Sequence, residues 1–138
     1  MTPAARVQAA VEILDSVIAA ARDDGPPADV VVANYFKTRR YAGSGDRRAV
    51  RELVYRAIRR SGERPDNGRA AMLGLDDAAA LFGSGGHAPS AIGDSEVAAG
   101  ERLIPGWIEG QMSPLVGEYK ARFNAMRERE IAETLKKN

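Results

Sequence analysis

Between Pro3 and Arg22 the apolar positions fall at Val7, Ala10, Val11, Leu14, Val17, Ile18 and Ala21. Steps of three and four residues return a side chain to the same side of a helical turn, so this spacing predicts an amphipathic helix. Pro3 suits its first turn, where a missing N–H costs nothing. Asp23-Asp24-Gly25-Pro26-Pro27 ends it. A second helix is expected from Ala28 to about Arg39, offering Val31, Tyr35 and Phe36 to a core. Val30-Val31-Val32 alone would suit a strand, but no partner strand is evident nearby and helix is the better reading.

Tyr41-Ala42-Gly43-Ser44-Gly45 reads as a turn, and Asp46 after it as a helix N-cap whose charge suits the positive end of the dipole. From Arg47 to Arg60 the residues Ala49, Val50, Leu53, Val54 and Ala57 cluster on one side at about 100° per residue, while Arg48, Arg51, Tyr55 and Arg59 share the opposite side. The stretch from Ser61 to Gly68 breaks this helix. Two short helical pieces follow, Arg69 to Leu75 and Asp76 to Phe82. From Gly83 to about Gly100 the composition turns to glycine, serine, proline and alanine, which predicts a long surface loop, a connector and not a domain boundary. Packing is expected to resume at Pro105-Gly106-Trp107-Ile108, and Val116, Tyr119, Phe123, Met126 and Leu135 trace a final helix around residues 116–137. The expectation is a single all-α domain spanning residues 1–138.

With 44% apolar and 28% charged residues, the balance is that of a folded globular chain. Zero cysteines exclude disulfides, thiolate metal sites and a cysteine nucleophile. The opening residues lack a basic region followed by an unbroken apolar run, and no stretch approaches the roughly 18 apolar residues of a membrane span. A soluble, cytoplasmic protein with no membrane partner is expected. Net charge is only +1, yet it is unevenly placed. Up to Phe36 two basic residues stand against five acidic ones; from Lys37 to Arg69 eleven stand against four, a net of +7; the remainder has seven against ten. A basic middle between acidic ends fits a phosphate-binding surface, although a solvated helix face is the commoner meaning of such a pattern.

The segment Asp46-Arg47-Arg48-Ala49-Val50-Arg51-Glu52-Leu53-Val54-Tyr55-Arg56-Ala57-Ile58-Arg59-Arg60 closely resembles the signature helix of NusB-like domains, in particular those at the amino end of Nop/Sun (RsmB-type) RNA cytosine methyltransferases. Arg6, Ala9, Ala10, Ile13 and Leu14 match that family's first helix, and Pro105-Gly106-Trp107-Ile108 is similar to the step preceding its linker to the catalytic domain. The resemblance covers roughly residues 3 to 125 and is strongest over 39–60. It implies an all-helical NusB-like bundle whose relatives bind RNA, sometimes with a protein partner. In those enzymes a following Rossmann-like domain binds S-adenosylmethionine and uses cysteines to attack the cytosine ring. This chain has no cysteine and no glycine-rich strand-to-helix turn, so no cofactor and no catalysis are expected of it, and S-adenosylmethionine belongs to a downstream catalytic domain of a parent protein.

Arginine chemistry points the same way with less specificity. A guanidinium pairs its planar fork with phosphate oxygens and stacks on bases, so Arg48, Arg51 and Arg59 beside Tyr55 combine charge with a stacking surface, and Arg39, Arg40, Arg47 and Arg60 extend the patch. Arg56 and Arg60 have an equal structural reading, capping carbonyls or pairing with acids such as Glu52. The expected partner is RNA, ribosomal in kind, with a methyltransferase domain in the same parent chain or a ribosomal-protein partner beside it. The alternative is a NusB-type docking module acting in transcription antitermination.

Other motifs carry less. His87 is the sole histidine and has no second ligand, so a loop residue is the better reading. Gly83-Ser84-Gly85-Gly86 lacks the Gly-Lys-Ser/Thr ending of a phosphate loop. Asp76 and Asp77 point about 100° apart on a helix and serve its N-terminal charge. Trp107 is expected in the core, and Arg127-Glu128-Arg129-Glu130 on a solvated face.

Overall fold

The computed structural model describes residues 1–100. Among them are five helices: α1 Pro3–Arg22, α2 Ala28–Lys37, α3 Ser44–Arg60, α4 Gly68–Leu73 and α5 Asp76–Ala79. No sheet accompanies them among the described residues, in keeping with the expected all-α class. The core step at Pro105-Gly106-Trp107-Ile108 and the final helix around 116–137 lie outside the described residues.

α1 is the hub, packing chiefly against α3 and α4 and more lightly against α2. Thr2 caps it, its hydroxyl accepting from the Ala5 N–H at 3.1 Å, and Pro3 opens the first turn. Val7, Ala10, Ile13, Leu14 and Val17 are all but sealed from solvent. They meet Val32 and Phe36 of α2, Val50, Val54, Ala57 and Ile58 of α3, and Ala71 and Met72 of α4 in one cluster. Burying a Val, Leu or Ile side chain contributes about 1.5–3 kcal/mol, so this cluster is what holds the helices together.

In α2, Val31 and Val32 are both buried, as is Phe36 one turn on, while Val30 is exposed. Adjacent residues of a strand would face opposite sides, so the valine run is helical because the core lies on one side of it. Val32 takes the buried place expected of Tyr35, which is only half-buried.

The start of α3 departs from expectation. Gly43 is the N-cap, the helix begins at Ser44, and Asp46 lies one turn inside, its Oδ2 accepting from the Gly43 N–H at 3.4 Å. The carboxylate is instead drawn to Arg6 of α1, which donates from Nε at 3.0 Å and Nη2 at 2.8 Å to Oδ1. The buried sector of α3 is also rotated from the expected one: Ile58 joins Val50, Val54 and Ala57, while Ala49 and Leu53 are half-buried.

α4 approaches α1 very closely at Gly68. A Cβ there would lie 2.2 Å from the Val11 carbonyl oxygen, and the Gly68 N–H donates to Asp15 Oδ1 at 2.7 Å. Asn67 caps the same helix by accepting from the Ala70 N–H at 2.9 Å. Residues 83–100 contain no helix, as expected of a surface loop, and several polar contacts hold them to the helices. Arg69 donates to Glu96 Oε1 and Oε2, Ser90 Oγ and the Ala91 carbonyl, and its guanidinium lies 4.8 Å from the Phe82 ring centroid. Arg60 donates to the Ala99 carbonyl at 2.6 Å, and the Ala99 N–H pairs with Ala70 O at 3.0 Å. Two arginines of the basic segment therefore strap this loop to α3 and α4.

Candidate functional site

The outward side of α3 is built by the same periodicity that fills the core. With Val50, Val54, Ala57 and Ile58 inward, Arg48 and Arg51 must project outward, and both are exposed. Neither makes a hydrogen bond or ion pair with another described residue. Tyr55, one turn beyond Arg51, is half-buried, and burial is the main cause that raises its phenol above the ordinary range. Its ring is thus seated on the protein with the arginines beside it.

The remaining members of the expected patch divide. Arg59 lies on this face but pairs with Glu52 Oε1 at 3.1 Å. The Glu52 side chain is 62% exposed, and an ion pair that open to water is worth about 0–1 kcal/mol. Arg40 is exposed in the α2–α3 connection. Arg47 is turned into the protein: Nε donates to the Ala42 carbonyl at 3.1 Å and the guanidinium lies 6.0 Å from the Phe36 ring centroid. Arg39, two residues past the end of α2, folds back over that helix, 3.7 Å above the Tyr35 ring, donating to Tyr35 O at 3.0 Å and Thr38 Oγ1 at 3.2 Å.

The structural reading of Arg60 describes its place well. Besides holding Ala99 it lies across Gly74, where an added Cβ would meet Nη1 at 2.3 Å. Arg56 pairs not with Glu52 but with Asp77 of α5, Nη1 and Nη2 each donating at 3.0 Å, which holds the Asp77 carboxyl below its usual range. That fork-to-fork contact also gives Asp77 a role its position in sequence did not reveal.

A second polar site escaped sequence reading. Between α1 and α2 lies an open hollow of about 530 Å³, lined by Glu12, Ile13, Ser16, Val31, Asn34, Tyr35 and Arg39. The Tyr35 hydroxyl donates to Glu12 Oε2 at 2.5 Å. Burial first, then this bond to a carboxylate, pushes the phenol above its ordinary range. The spacing of Tyr35 and Arg39, four apart, was the available signal, since such residues are neighbours on one helix face. The approach of Glu12 from another helix had no local signature.

His87 is exposed in the 83–100 loop, and no group of three or more metal-binding side chains converges among the described residues. No helix among them is long and apolar enough to cross a membrane. Comparison with protein-family models, with curated proteins and with solved structures finds nothing that matches this chain.

Proposed function

We propose that this chain is an RNA-binding accessory module with a NusB-like helical bundle, acting beside an RNA cytosine-C5 methyltransferase domain of a parent protein in the cytoplasm. The observation that carries this reading is the pair Arg48 and Arg51, both exposed on the outward side of α3 and neither engaged by another described residue. Cations that a fold leaves uncompensated on one face attract a polyanion, and arginine does so with a fork that matches phosphate oxygens. Tyr55 adds a ring fixed in the same neighbourhood, and the exposed Arg40 widens the positive field. The resemblance of residues 46–60 to the NusB-like signature helix supplies the choice of RNA among polyanions, ribosomal RNA in particular. On this reading the module positions RNA through its backbone and leaves S-adenosylmethionine and the methyl transfer to the catalytic domain.

Binding of a structured ribosomal RNA fragment, followed by fluorescence anisotropy across a salt series, tests the reading. Each phosphate contact contributes a slope of about 0.7–0.9 to the fall of log K with log salt. The double variant Arg48→Ala, Arg51→Ala is expected to lower that slope by about 1.4–1.8 and to weaken binding. Unchanged affinity and slope would remove α3 as the RNA face.

A further inference from the structure

The hollow between α1 and α2 brings side chains of different chemistry to one place. It holds a planar cation laid on an aromatic ring (Arg39 on Tyr35, 3.7 Å), a carboxylate that already accepts one short bond (Glu12) and an exposed amide (Asn34), over a floor closed by the buried Ile13 and Val31. Its volume of about 530 Å³ lies within the range of roughly 300–1,000 Å³ typical of small-ligand sites.

The charges decide what it can hold. An anion alone would be repelled by Glu12, and a simple cation by Arg39. A neutral heteroaromatic ring with hydrogen-bond donors on one edge suits both: the ring stacks on the guanidinium, and the carboxylate accepts from the edge. Glu12 retains the capacity for this, since a carboxylate has about four lone-pair positions and the recorded bonds use one strongly, from Tyr35, and one weakly, from Gln8 at 3.4 Å. Among nucleobases, guanine presents two adjacent donors, N1–H and the N2 amino group, that match the two oxygens of a carboxylate. Adenine offers an acceptor at N1 on the corresponding edge, which would face Glu12 lone pair to lone pair.

We infer that the α1–α2 hollow is a guanine-binding subsite, in which Arg39 stacked on Tyr35 supports the base and Glu12 reads its Watson–Crick edge. Where the guanine belongs to an RNA, this deepens the reading of the chain as an RNA-binding module, but the recognition chemistry is the same for a free guanine nucleotide. Tyr35 is a positioning residue: its hydroxyl fixes Glu12 and its ring fixes Arg39. The subsite would add to a backbone-binding face the base discrimination that phosphate contacts lack.

The test uses the full chain and two kinds of probe. In ¹H–¹⁵N NMR titrations, guanosine monophosphate is expected to shift the signals of Glu12, Asn34 and the Arg39 side chain, with adenosine monophosphate binding at least about tenfold more weakly. Glu12→Gln keeps the size of an exposed side chain, so the fold should persist, and is expected to cut the guanine-to-adenine preference about tenfold. In parallel, a single-stranded oligouridine carrying one guanosine is compared with the same strand carrying adenosine at that place. A guanosine preference in both probes, lost in Glu12→Gln, supports the subsite. If the oligonucleotide binds several-fold more tightly than the mononucleotide, and loses that gain in Arg48→Ala, Arg51→Ala, the guanine is one within RNA; equal affinities mark a nucleotide site, and the inference holds while the RNA reading falls. Equal response to the two mononucleotides, or a preference undiminished in Glu12→Gln, overturns the inference, whatever the salt dependence of RNA binding on α3.

Discussion

Arg6 of α1 holds Asp46 of α3 through two nitrogens that converge on one carboxylate oxygen, Nε at 3.0 Å and Nη2 at 2.8 Å. The residues are forty positions apart, and the contact ties the first turn of α3 to the first turns of the helix at the centre of the fold.

Acid should loosen that tie. The hydrogen bond from Arg6 is the largest cause holding the Asp46 carboxyl below its ordinary range, whereas the unfolded chain titrates near about 3.9. A carboxyl with a depressed folded pKa stabilises the fold above its unfolded value, and the contribution disappears as pH falls through the folded value. Thermal unfolding of wild type and Asp46→Asn is therefore expected to differ at neutral pH and to converge below about pH 4. A gap that persists undiminished in strong acid would show that the carboxylate charge is not its source.

Glu96 offers a parallel case in the strapped loop. Arg69 first, then the Gly93 N–H, lower its carboxyl from the ordinary 4.5 to about 2. The strap is thus fully formed above pH 4.5 and is lost as pH falls through about 2. The Gly93 amide, which donates to Glu96 Oε1 at 2.8 Å, should report a titration midpoint near 2 by NMR. At neutral pH, Glu96→Gln is expected to speed proteolytic cleavage within residues 83–100 several-fold, and cleavage at the wild-type rate would count against the strap.

Gly68 should tolerate no side chain. Alanine would place Cβ 2.2 Å from the Val11 carbonyl oxygen, a backbone atom and not the movable end of a side chain. Forcing α4 away from α1 is expected to cost about 1–3 kcal/mol or more, seen as a lower urea midpoint at unchanged m-value. A variant as stable as wild type would mean that the α1–α4 contact is looser than described.

The arginines should separate by stability as well as by RNA binding. Arg48→Ala is expected to change stability by no more than about 0.5 kcal/mol, because the side chain touches solvent. Arg60→Ala is expected to cost about 1–3 kcal/mol, since it orphans the part-buried Ala99 carbonyl and uncovers Gly74. Denaturant unfolding of the two variants side by side checks this ordering, and equal losses would contradict the division between surface and structural arginines.

Periodicity made α1 legible nearly to the residue, and made the outward course of Arg48 and Arg51 legible too, because both follow from local geometry and the need to bury one face. The same rule located α2 despite its valine run and offered Val31 and Phe36 to the core, but it missed Val32, which is more deeply buried than Tyr35. Asp46 shows the limit: as a sequence it reads as a cap, and only the arrival of Arg6 from another helix makes it a bridge.

Composition likewise made residues 83–100 a surface loop, and charge counting marked Lys37 to Arg69 as the basic segment. Only tertiary structure brought Glu96 to Arg69, Asp77 to Arg56 and Ala99 to Arg60, and laid Arg39 on Tyr35 opposite Glu12. Helix period is written in neighbouring residues and can be read from them, whereas the partner of a charge is whichever group the packed core carries to within about 3 Å, often from dozens of positions away.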